Sequence, residues 1–563
     1  MPYNLLDEGW IPCVQLDGST TYVGLLDTLY RAHELRGIQG EAPVVTAALY
    51  RLLLAFAHRA LGGPRHTREW GELWTSPTLA EKWIDKRIQQ YRADFDSRFL
   101  LDGQQHPFLQ SPGLAYREFG SAAKLVFHRA TGNNVTLFDH LTAADEFHLH
   151  PATAARWLVT THAFDAGGLK SPDVNGAKSS VRGLCNYFGT AVVIGKNLKE
   201  TLLLNLPVYA PDQGLPLGTR EQDRPAWEAD TAPEPRADQE GRPPLGWTDL
   251  LTWPSRRVLL QHAHPDGAPA VTGAVITPGT RPRGRSSGHE GTSVQEDLHH
   301  VEMMAAFRAP VRSASGRSAS KSTGARRLLP VQLERVRGIW RHAHEFLLPV
   351  GEPVGQPRLR PRTIDHVAQM IDQKELSSSH RFTLRVYGQQ LDDQGGAVEA
   401  WHEEALPMPV ALLRTTGSDW PLETLLGLAV GLADDVGEEL ANLERSYRRV
   451  QKGDLSEEAA RMQRWYWPVL DRPFQRVLGE LGDLVAQGEP EQTTTRRALR
   501  RHFKGWGCTV QASARQAVDI WQWKHPRTTS RQLLALADLG NVFGARLQEL
   551  GTAYSVRVKQ ICW

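Results

Sequence analysis

The chain contains 563 residues, which is more than one hydrophobic core usually organises, so two or more domains are expected. Its hydrophobic fraction of 41% and charged fraction of 23% are typical of globular proteins. A net charge of only +2 excludes nucleic-acid binding by the whole surface, so such a partner has to bind at local basic patches. No apolar run reaches the length of a membrane span and the first residues contain no signal peptide, so we expect a cytoplasmic protein with no membrane partner.

The N-terminal part of the chain carries both helix and strand signals. Over residues 44–61 apolar side chains recur at helical spacing and on almost every side, which predicts a buried helix. The short apolar runs at residues 191–194 and 202–206 each predict a buried strand. This part of the chain is therefore expected to form a mixed domain.

The middle of the chain contains segments with little to bury. Residues 210–246 are rich in Pro, Asp, Glu, Gly and Arg, with Trp227 as the main apolar exception, and this composition predicts a long loop or linker. Two basic tracts, residues 277–292 and 312–327, are expected to be mobile in the absence of a ligand.

After Met408 the pattern becomes helical. Ser418 and Asp419 precede Pro421, which is typical of a helix start, and apolar residues then follow at helical spacing. Further helical stretches are predicted near residues 456–466, 472–486, 493–503 and 530–550. Short loops between such helices favour an antiparallel four-helix bundle. The predicted fold class is α+β, with a mixed domain over residues 1–407 and the bundle over residues 408–563.

The sequence contains no catalytic or metal-binding motif that we recognise. The four cysteines lie far apart and form no CxxC pair, which argues against a disulfide framework and a zinc knuckle. Histidine pairs such as His148 and His150 have no second cluster of ligands nearby, and neither HExxH nor GxSxG occurs. We therefore expect no catalytic residue, no metal and no cofactor.

Two glycine-containing segments offer binding chemistry instead. Residues 388–396 form a polar tip after strand-like apolar residues, and such a tip suits contact with the edge of a base pair, although a solvated turn is the simpler alternative. Residues 175–180 place small residues, amides and the ammonium group of Lys178 in a tight loop. Its backbone N–H groups could approach a phosphate or a shallow groove, or the loop could be a plain turn.

Two groups of arginines are candidates for phosphate contact. Arg281, Arg283 and Arg285 carry three guanidinium groups with no acid among them, which favours either a phosphate-binding finger or a solvated basic loop. A second group lies at helical spacing on one predicted helix of the bundle and comprises Arg496, Arg497, Arg500, Arg501 and Lys504. This stripe could follow a nucleic-acid strand or form the wet face of the bundle.

Five segments, taken in their order along the chain, carry a family resemblance. They are residues 4–12 (NLLDEGWIP), 106–110 (HPFLQ), 175–182, 224–227 (RPAW) and 394–402 (QGGAVEAWH). In this order and spacing the chain resembles CasA, the large subunit of the type I-E CRISPR surveillance complex Cascade, over essentially its whole length.

The resemblance implies a non-enzymatic subunit that recognises the protospacer-adjacent motif in duplex DNA from the minor-groove side. In that family a glycine loop, a basic finger and a glutamine wedge read the motif and split the first base pairs. The helical bundle then guides displaced DNA. The implied partners are crRNA, double-stranded target DNA, the other Cascade subunits and a helicase–nuclease that the subunit helps to recruit.

Site residues carry over from the family by position in this sequence. The glycine loop corresponds to Asn175, Gly176, Ala177 and Lys178, and the wedge to Asp393, Gln394 and Gly395. Arg281 or Arg283 fills the basic finger, and the loop that contacts the crRNA 5′ handle contains Asn133, Asn134 and Phe138. In the bundle, the residues assigned to contact with displaced DNA are Arg496, Arg497, Arg500 and Arg501. Some relatives have a CxxC zinc knuckle, and this chain lacks those cysteines, so no metal is implied.

Two alternatives remain open at this point. The chain could be a scaffold subunit that joins proteins without touching DNA. It could also be a metal-dependent nuclease whose acidic residues converge only in three dimensions.

Overall fold

The computed structural model describes residues 2–114, 116, 118–129, 147–170, 179–234, 237–238, 240–283, 298–309, 328–333, 338–349, 358–392, 394–414, 421–451, 462–487, 489, 492–524 and 529–562. The chain divides into two compact units. The first unit comprises Met1–Leu333, Pro361–Leu376 and Arg385–Glu403, and the second comprises Glu334–Arg360, Ser377–Leu384 and Glu404–Trp563.

The described residues form helices and strands in the following order. The α-helices are α1 (Asp27–Tyr30), α2 (Pro43–Leu61), α3 (Thr67–Thr75), α4 (Lys82–Phe95), α5 (Pro151–Phe164), α6 (Leu198–Leu204), α7 (Trp247–Leu251), α8 (Ala343–Leu347), α9 (Arg362–Asp372), α10 (Leu422–Gln451), α11 (Gln463–Gln487), α12 (Thr493–Lys524) and α13 (Ser530–Ile561). The β-strands are β1 (Ile11–Gln15), β2 (Thr20–Val23), β3 (Leu35–Ile38), β4 (Gly120–Ser121), β5 (Gly168–Leu169), β6 (Ser179–Ser180), β7 (Thr190–Ile194), β8 (Arg256–Ala263), β9 (Ala270–Pro278), β10 (Phe307–Arg308), β11 (Leu329–Pro330), β12 (Arg358–Leu359), β13 (Arg381–Leu391) and β14 (Val398–Pro409).

Helix α2 forms the centre of the first unit, where it packs against α4, α5 and α7. Pro43 lies at its first turn, and Gly62 ends it in the left-handed conformation (φ 67°). By length and hydropathy α2 could span a membrane, contrary to the sequence-based expectation, but 94% of its apolar window lies buried inside the protein. Burial on nearly every side is typical of a core helix.

Small sheets in the first unit position its loops. Strands β8 and β9 pair antiparallel with Arg256 opposite Pro278, and β4 adds to the free side of β9. Strand β13 lies between β14 and β7, so the long β13–β14 hairpin is anchored in a three-stranded sheet. Strands β5 and β6 form a separate antiparallel ribbon.

Four long helices, α10–α13, dominate the second unit, as predicted. Helix α12 buries Leu499, Phe503, Trp506 and Val510, whose spacing of three to four residues lines one face. Trp506 packs on Phe474 of α11 with ring centroids 5.1 Å apart. The structure confirms the α+β class, and α11 runs without interruption through Pro468 and Pro473, where two separate helical stretches were predicted.

Two sequence-based predictions need correction, and a third holds. Residues 202–206 are not a strand, because most of them belong to α6, whose N-terminus is capped by the Asn197 side chain. Residues 210–246 are largely irregular, as predicted, and Trp227, the apolar exception among them, is buried inside the first unit. The basic tract at 277–292 was predicted to be mobile, but its first residue, Thr277, is buried and belongs to the end of strand β9.

The division between the units also differs from the single predicted boundary at 407/408. The second unit includes Glu334–Arg360 and Ser377–Leu384, which lie well before that point in the chain. The long strands of the β13–β14 hairpin run through both units, so no single cut in the sequence separates them.

Candidate nucleic-acid interface

The tip of the β13–β14 hairpin is an ordered turn that exposes Gln394. Asp392 closes the turn, because its Oδ1 accepts hydrogen bonds from the backbone N–H groups of Gly396 (2.7 Å) and Ala397 (2.9 Å). Gly395 adopts φ 71°, a conformation that favours glycine. The side chain of Gln394 is exposed, as the wedge assignment requires. Asp393, the remaining residue of the predicted wedge, lies outside the described residues.

Below the tip, the hairpin is attached to the end of α5 by the side chain of Gln389. Its Nε2 donates to the carbonyl oxygen of Phe164 (2.9 Å) and to Oδ1 of Asn186 (3.0 Å). Its Oε1 accepts from the indole N–H of Trp401 on β14 (2.8 Å). Asn186 in turn donates to the carbonyl oxygen of Phe164 (2.9 Å). These four polar groups form a connected network, which is typical of a fixed attachment.

The predicted glycine loop, Asn175, Gly176, Ala177 and Lys178, lies outside the described residues. The structure does describe the ribbon on either side of it. Gly168 of β5 pairs with Ser180 of β6, and Leu169 pairs with Ser179. The chain therefore leaves for the glycine loop and returns from it on two neighbouring strands.

The ribbon contacts the tip of the hairpin directly. The backbone N–H of Gly167, just before β5, donates to the carbonyl oxygen of Gly395 (2.8 Å). A Cβ atom at Gly167 would lie 3.2 Å from that oxygen and 3.3 Å from the carbonyl oxygen of Ser180, so the approach is close. The structure thus brings together the turn that exposes Gln394 and the ribbon that leads to the glycine loop, although 175–178 and 394 are far apart in sequence.

The predicted basic finger begins just after β9. The backbone N–H of Arg281 donates to the carbonyl oxygen of Asp238 (3.0 Å), and that of Arg283 donates to the carbonyl oxygen of Arg242 (3.0 Å). The indole N–H of Trp253 donates to the carbonyl oxygen of Thr280 (3.0 Å). The backbone is thus held in place while both arginine side chains remain exposed. Arg285 lies outside the described residues.

A largely buried carboxylate, Asp165, connects the base of the finger with the ribbon. Nε of Arg256, on β8 opposite the last residue of β9, lies 2.5 Å from Oδ2 of Asp165, and Nζ of Lys170 lies 2.8 Å from the same oxygen. Burial raises the pKa of the Asp165 carboxyl, but the charges of Arg256 and Lys170 outweigh it and hold that pKa below its ordinary value. Lys170 is the last described residue before the glycine loop.

The predicted bundle arginines lie on α12 in the second unit. Arg497, Arg500 and Arg501 are exposed, and Arg496 is half-buried. Leu499 and Phe503 face the bundle core between them. The stripe therefore forms the outer face of α12, which leaves open both a contact with nucleic acid and a purely solvated role.

Asn133, Asn134 and Phe138, assigned to contact with the crRNA 5′ handle, lie outside the described residues. Among the residues that the structure describes, no three His, Cys, Asp or Glu side chains come together in a way that could hold a metal ion.

Sequence reasoning missed three residues that organise this surface, namely Asp165, Asn186 and Gln389. Asp165 follows an apolar helix and precedes a Gly-Gly pair, a local signal that could have marked the start of a structured connection. Gln389 carried no such signal, because its partners Phe164 and Asn186 lie 225 and 203 residues away in the chain.

Comparison with known proteins places this chain among the CRISPR-associated proteins. The sequence profile of the family "CRISPR-associated protein Cse1" matches residues 4–506. The chain belongs to this Cse1 family, which confirms the resemblance to CasA.

Individual relatives match over nearly the whole chain. The CRISPR-associated protein CasA/Cse1 of Thermus thermophilus is 30% identical over 98% of this chain and 98% of its own. The crystal structure of Thermobifida fusca Cse1 is similar with a TM-score of 0.74 and 27% identity, and covers 98% of both chains. A chain of a CRISPR RNA-guided surveillance complex has the same fold, with a TM-score of 0.70, 20% identity, and coverage of 96% of this chain and 99% of its own.

Proposed function

We propose that this chain is the large subunit of a crRNA-guided DNA surveillance complex. In that role it recognises the protospacer-adjacent motif in duplex DNA from the minor groove and opens the first base pairs. Family membership and a fold shared with a chain of an RNA-guided surveillance complex support this proposal. The observation that carries it furthest is the hydrogen bond between Gly167 and Gly395, which joins the turn that exposes Gln394 to the ribbon of the glycine loop.

The chemistry of the surface suits minor-groove reading. The minor groove distinguishes A·T from G·C but little else, so a few short polar contacts are enough and no recognition helix is needed. The exposed amide of Gln394 can donate and accept hydrogen bonds beside an opened pair. Opening costs a few kcal/mol, and guide pairing must follow at once to offset that cost.

The remaining roles follow the same proposal. The exposed guanidinium groups of Arg281 and Arg283 bind phosphate, and the outer face of α12 follows the displaced strand. Asn133, Asn134 and Phe138 contact the crRNA handle. The assembled complex then recruits a helicase–nuclease, so the chain itself needs no catalytic group.

The test uses the reconstituted complex and a duplex with a fluorescent base beside the motif. We expect Lys178→Ala to weaken binding of the motif-bearing duplex. We expect Gln394→Ala to leave that binding largely intact and to impair opening of the first base pairs. Gln390→Ala is the matched control. Gln390 lies in the same hairpin, but its side chain donates to Glu399 (2.8 Å) and is not part of the exposed turn.

Each alternative predicts a different result. A scaffold without DNA contact predicts that Lys178→Ala and Gln394→Ala both leave duplex affinity and opening unchanged. A nuclease predicts that the purified chain cleaves DNA with magnesium and that loss of one acidic pair abolishes the cleavage. Either result would overturn the proposal.

A further inference from the structure

Residues 164–167 connect α5 to the ribbon of the glycine loop, and we call them the junction segment. Side chains and backbone from several elements converge on these four residues. Arg256 on β8 donates through Nη2 to the carbonyl oxygens of Asp165 (3.1 Å) and Ala166 (2.9 Å), and the backbone N–H of Gly183 donates to the carbonyl oxygen of Asp165 (2.8 Å). The junction segment is therefore held by hydrogen bonds that do not involve the hairpin.

The hairpin is attached to the junction segment at two points. The Gln389 side chain donates to the carbonyl oxygen of Phe164, at the start of the segment. The carbonyl oxygen of Gly395 accepts from the N–H of Gly167, at its end. Gln389 lies in the body of the hairpin and Gly395 in its tip, so together the two attachments fix both the position and the direction of the hairpin.

We propose that Gln389 is a positioning residue that sets the wedge relative to the β5–β6 ribbon through the junction segment. This inference rests on the proposed function of Gln394 and the glycine loop. Gln389 is suited to the role because one side-chain amide joins three elements: α5 through Phe164, the turn before β7 through Asn186, and β14 through Trp401. A side chain without those donors and acceptors removes all three of these links and leaves the N–H of Gly167 as the remaining hydrogen bond between the hairpin tip and the junction segment.

Gln389→Met is the test variant, because methionine keeps the length and most of the volume of glutamine while removing every hydrogen bond of its amide. The carbonyl oxygen of Phe164 keeps a donor in Asn186, so the variant leaves that group satisfied. Gln390→Met is the matched control, since its amide bonds only within the hairpin. Both variants are measured in the full chain and in the reconstituted complex.

Two readouts separate the inference from the function on which it rests. The first is hydrogen–deuterium exchange in the full chain, in a peptide that contains the N–H of Gly167. We expect faster exchange in Gln389→Met and unchanged exchange in Gln390→Met. The second is base-pair opening beside the motif, which we expect to slow by roughly 5- to 10-fold in Gln389→Met, because the wedge is then less firmly held in position.

A double variant shows whether Gln389 acts through the wedge. If Gln389 only positions Gln394, then Gln389→Met combined with Gln394→Ala opens DNA as slowly as Gln394→Ala alone. Additive defects, or unchanged exchange at Gly167, overturn the positioning role. Faster exchange at Gly167 with ordinary opening in both Gln389→Met and Gln394→Ala supports the attachment and overturns the wedge function itself.

Discussion

Asp165 and Arg256 form a largely buried ion pair that joins the end of α5 to the first residue of β8. The Arg256 side chain is fully buried, and its Nε lies 2.5 Å from Oδ2 of Asp165. Nζ of Lys170 lies 2.8 Å from the same carboxylate oxygen. Burial of a guanidinium group is unfavourable unless a carboxylate and hydrogen-bond acceptors compensate it, and here Asp165 supplies the charge.

Replacing Asp165 with Asn is expected to destabilise the first unit strongly. The variant leaves Arg256 buried without its counter-ion, and breaking such a pair costs on the order of 3–5 kcal/mol. We expect a lower unfolding temperature for Asp165→Asn. Lys170→Met is the control, because it removes only the second cation and leaves the Arg256 pair in place. Equal unfolding temperatures for Asp165→Asn and the unmodified chain would show that the ion pair does not contribute to the stability of the first unit.

The same pair predicts a dependence of stability on pH. The folded pKa of Asp165 lies below its ordinary value, because the charges of Arg256 and Lys170 outweigh the effect of burial. A depressed pKa stabilises the folded state above the unfolded value of about 3.9. That contribution is lost as the pH falls through the folded pKa. We expect thermal unfolding scans between neutral pH and pH 3 to show a smaller loss in Asp165→Asn, which has no carboxyl group to protonate.

The exposed arginines of the finger predict a change in salt dependence. Each phosphate contact on duplex DNA contributes about −0.9 to the slope of log K against log salt. If Arg281 and Arg283 each bind one phosphate, the double alanine variant reduces the slope by about 2 in titrations of the complex with duplex DNA. Arg68→Ala is the control, because Arg68 is an exposed arginine of the same unit that pairs with Glu72 on α3. An unchanged slope in the double variant would exclude the finger from phosphate contact.

The arginines on α12 are tested with single-stranded DNA. Arg497, Arg500 and Arg501 are exposed on one face, so charge removal there leaves the buried face of the helix intact. If these residues guide the displaced strand, Arg500→Ala with Arg501→Ala weakens capture of that strand and reduces its salt slope by about 0.7 for each contact. Binding of the closed motif duplex is expected to stay unchanged. Loss of both activities together would argue against a role confined to the displaced strand.

Local signals in the sequence were sufficient for much of the fold. The helix at 44–61 and the strand at 191–194 were correct because burial on all sides leaves a continuous apolar run of the right length. The strand predicted at 202–206 was wrong, because consecutive leucines show neither the helical nor the strand period. The helix was indicated instead by Asn197, followed three residues later by Glu200, which is a helix-start signal.

The candidate site was less accessible to sequence reasoning. The exposure of Gln394 follows from a glycine-rich turn that can be predicted locally. The attachment of this turn to the ribbon cannot be predicted from the sequence, because the hydrogen bond between Gly167 and Gly395 joins two backbone groups and depends on no particular side chain. The buried charge of Asp165 likewise depends on the tertiary position of Arg256.

In the second unit, Glu404 on β14 is a half-buried carboxyl group with a raised pKa. Burial raises the pKa of Glu404 to about 7, the N–H of Ile339 opposes that rise by donating to Oε2, and the nearby charge of Asp471 adds to it. The folded state therefore holds a proton on Glu404 at a pH where the unfolded chain has lost it.

Glu404 is expected to make the second unit less stable as the pH rises from about 4.5 to 7. In this range the folded state binds more protons than the unfolded state, so the free energy of unfolding falls with pH. Glu404→Gln keeps an oxygen acceptor for Ile339 and removes the ionisation. We expect the free energy of unfolding of this variant to be higher than that of the unmodified chain by roughly 1–3 kcal/mol at pH 8. At pH 5 we expect the two free energies of unfolding to be closer. Thermal unfolding at both pH values measures the difference, and an equal difference at pH 5 and pH 8 would mean that Glu404 ionises normally.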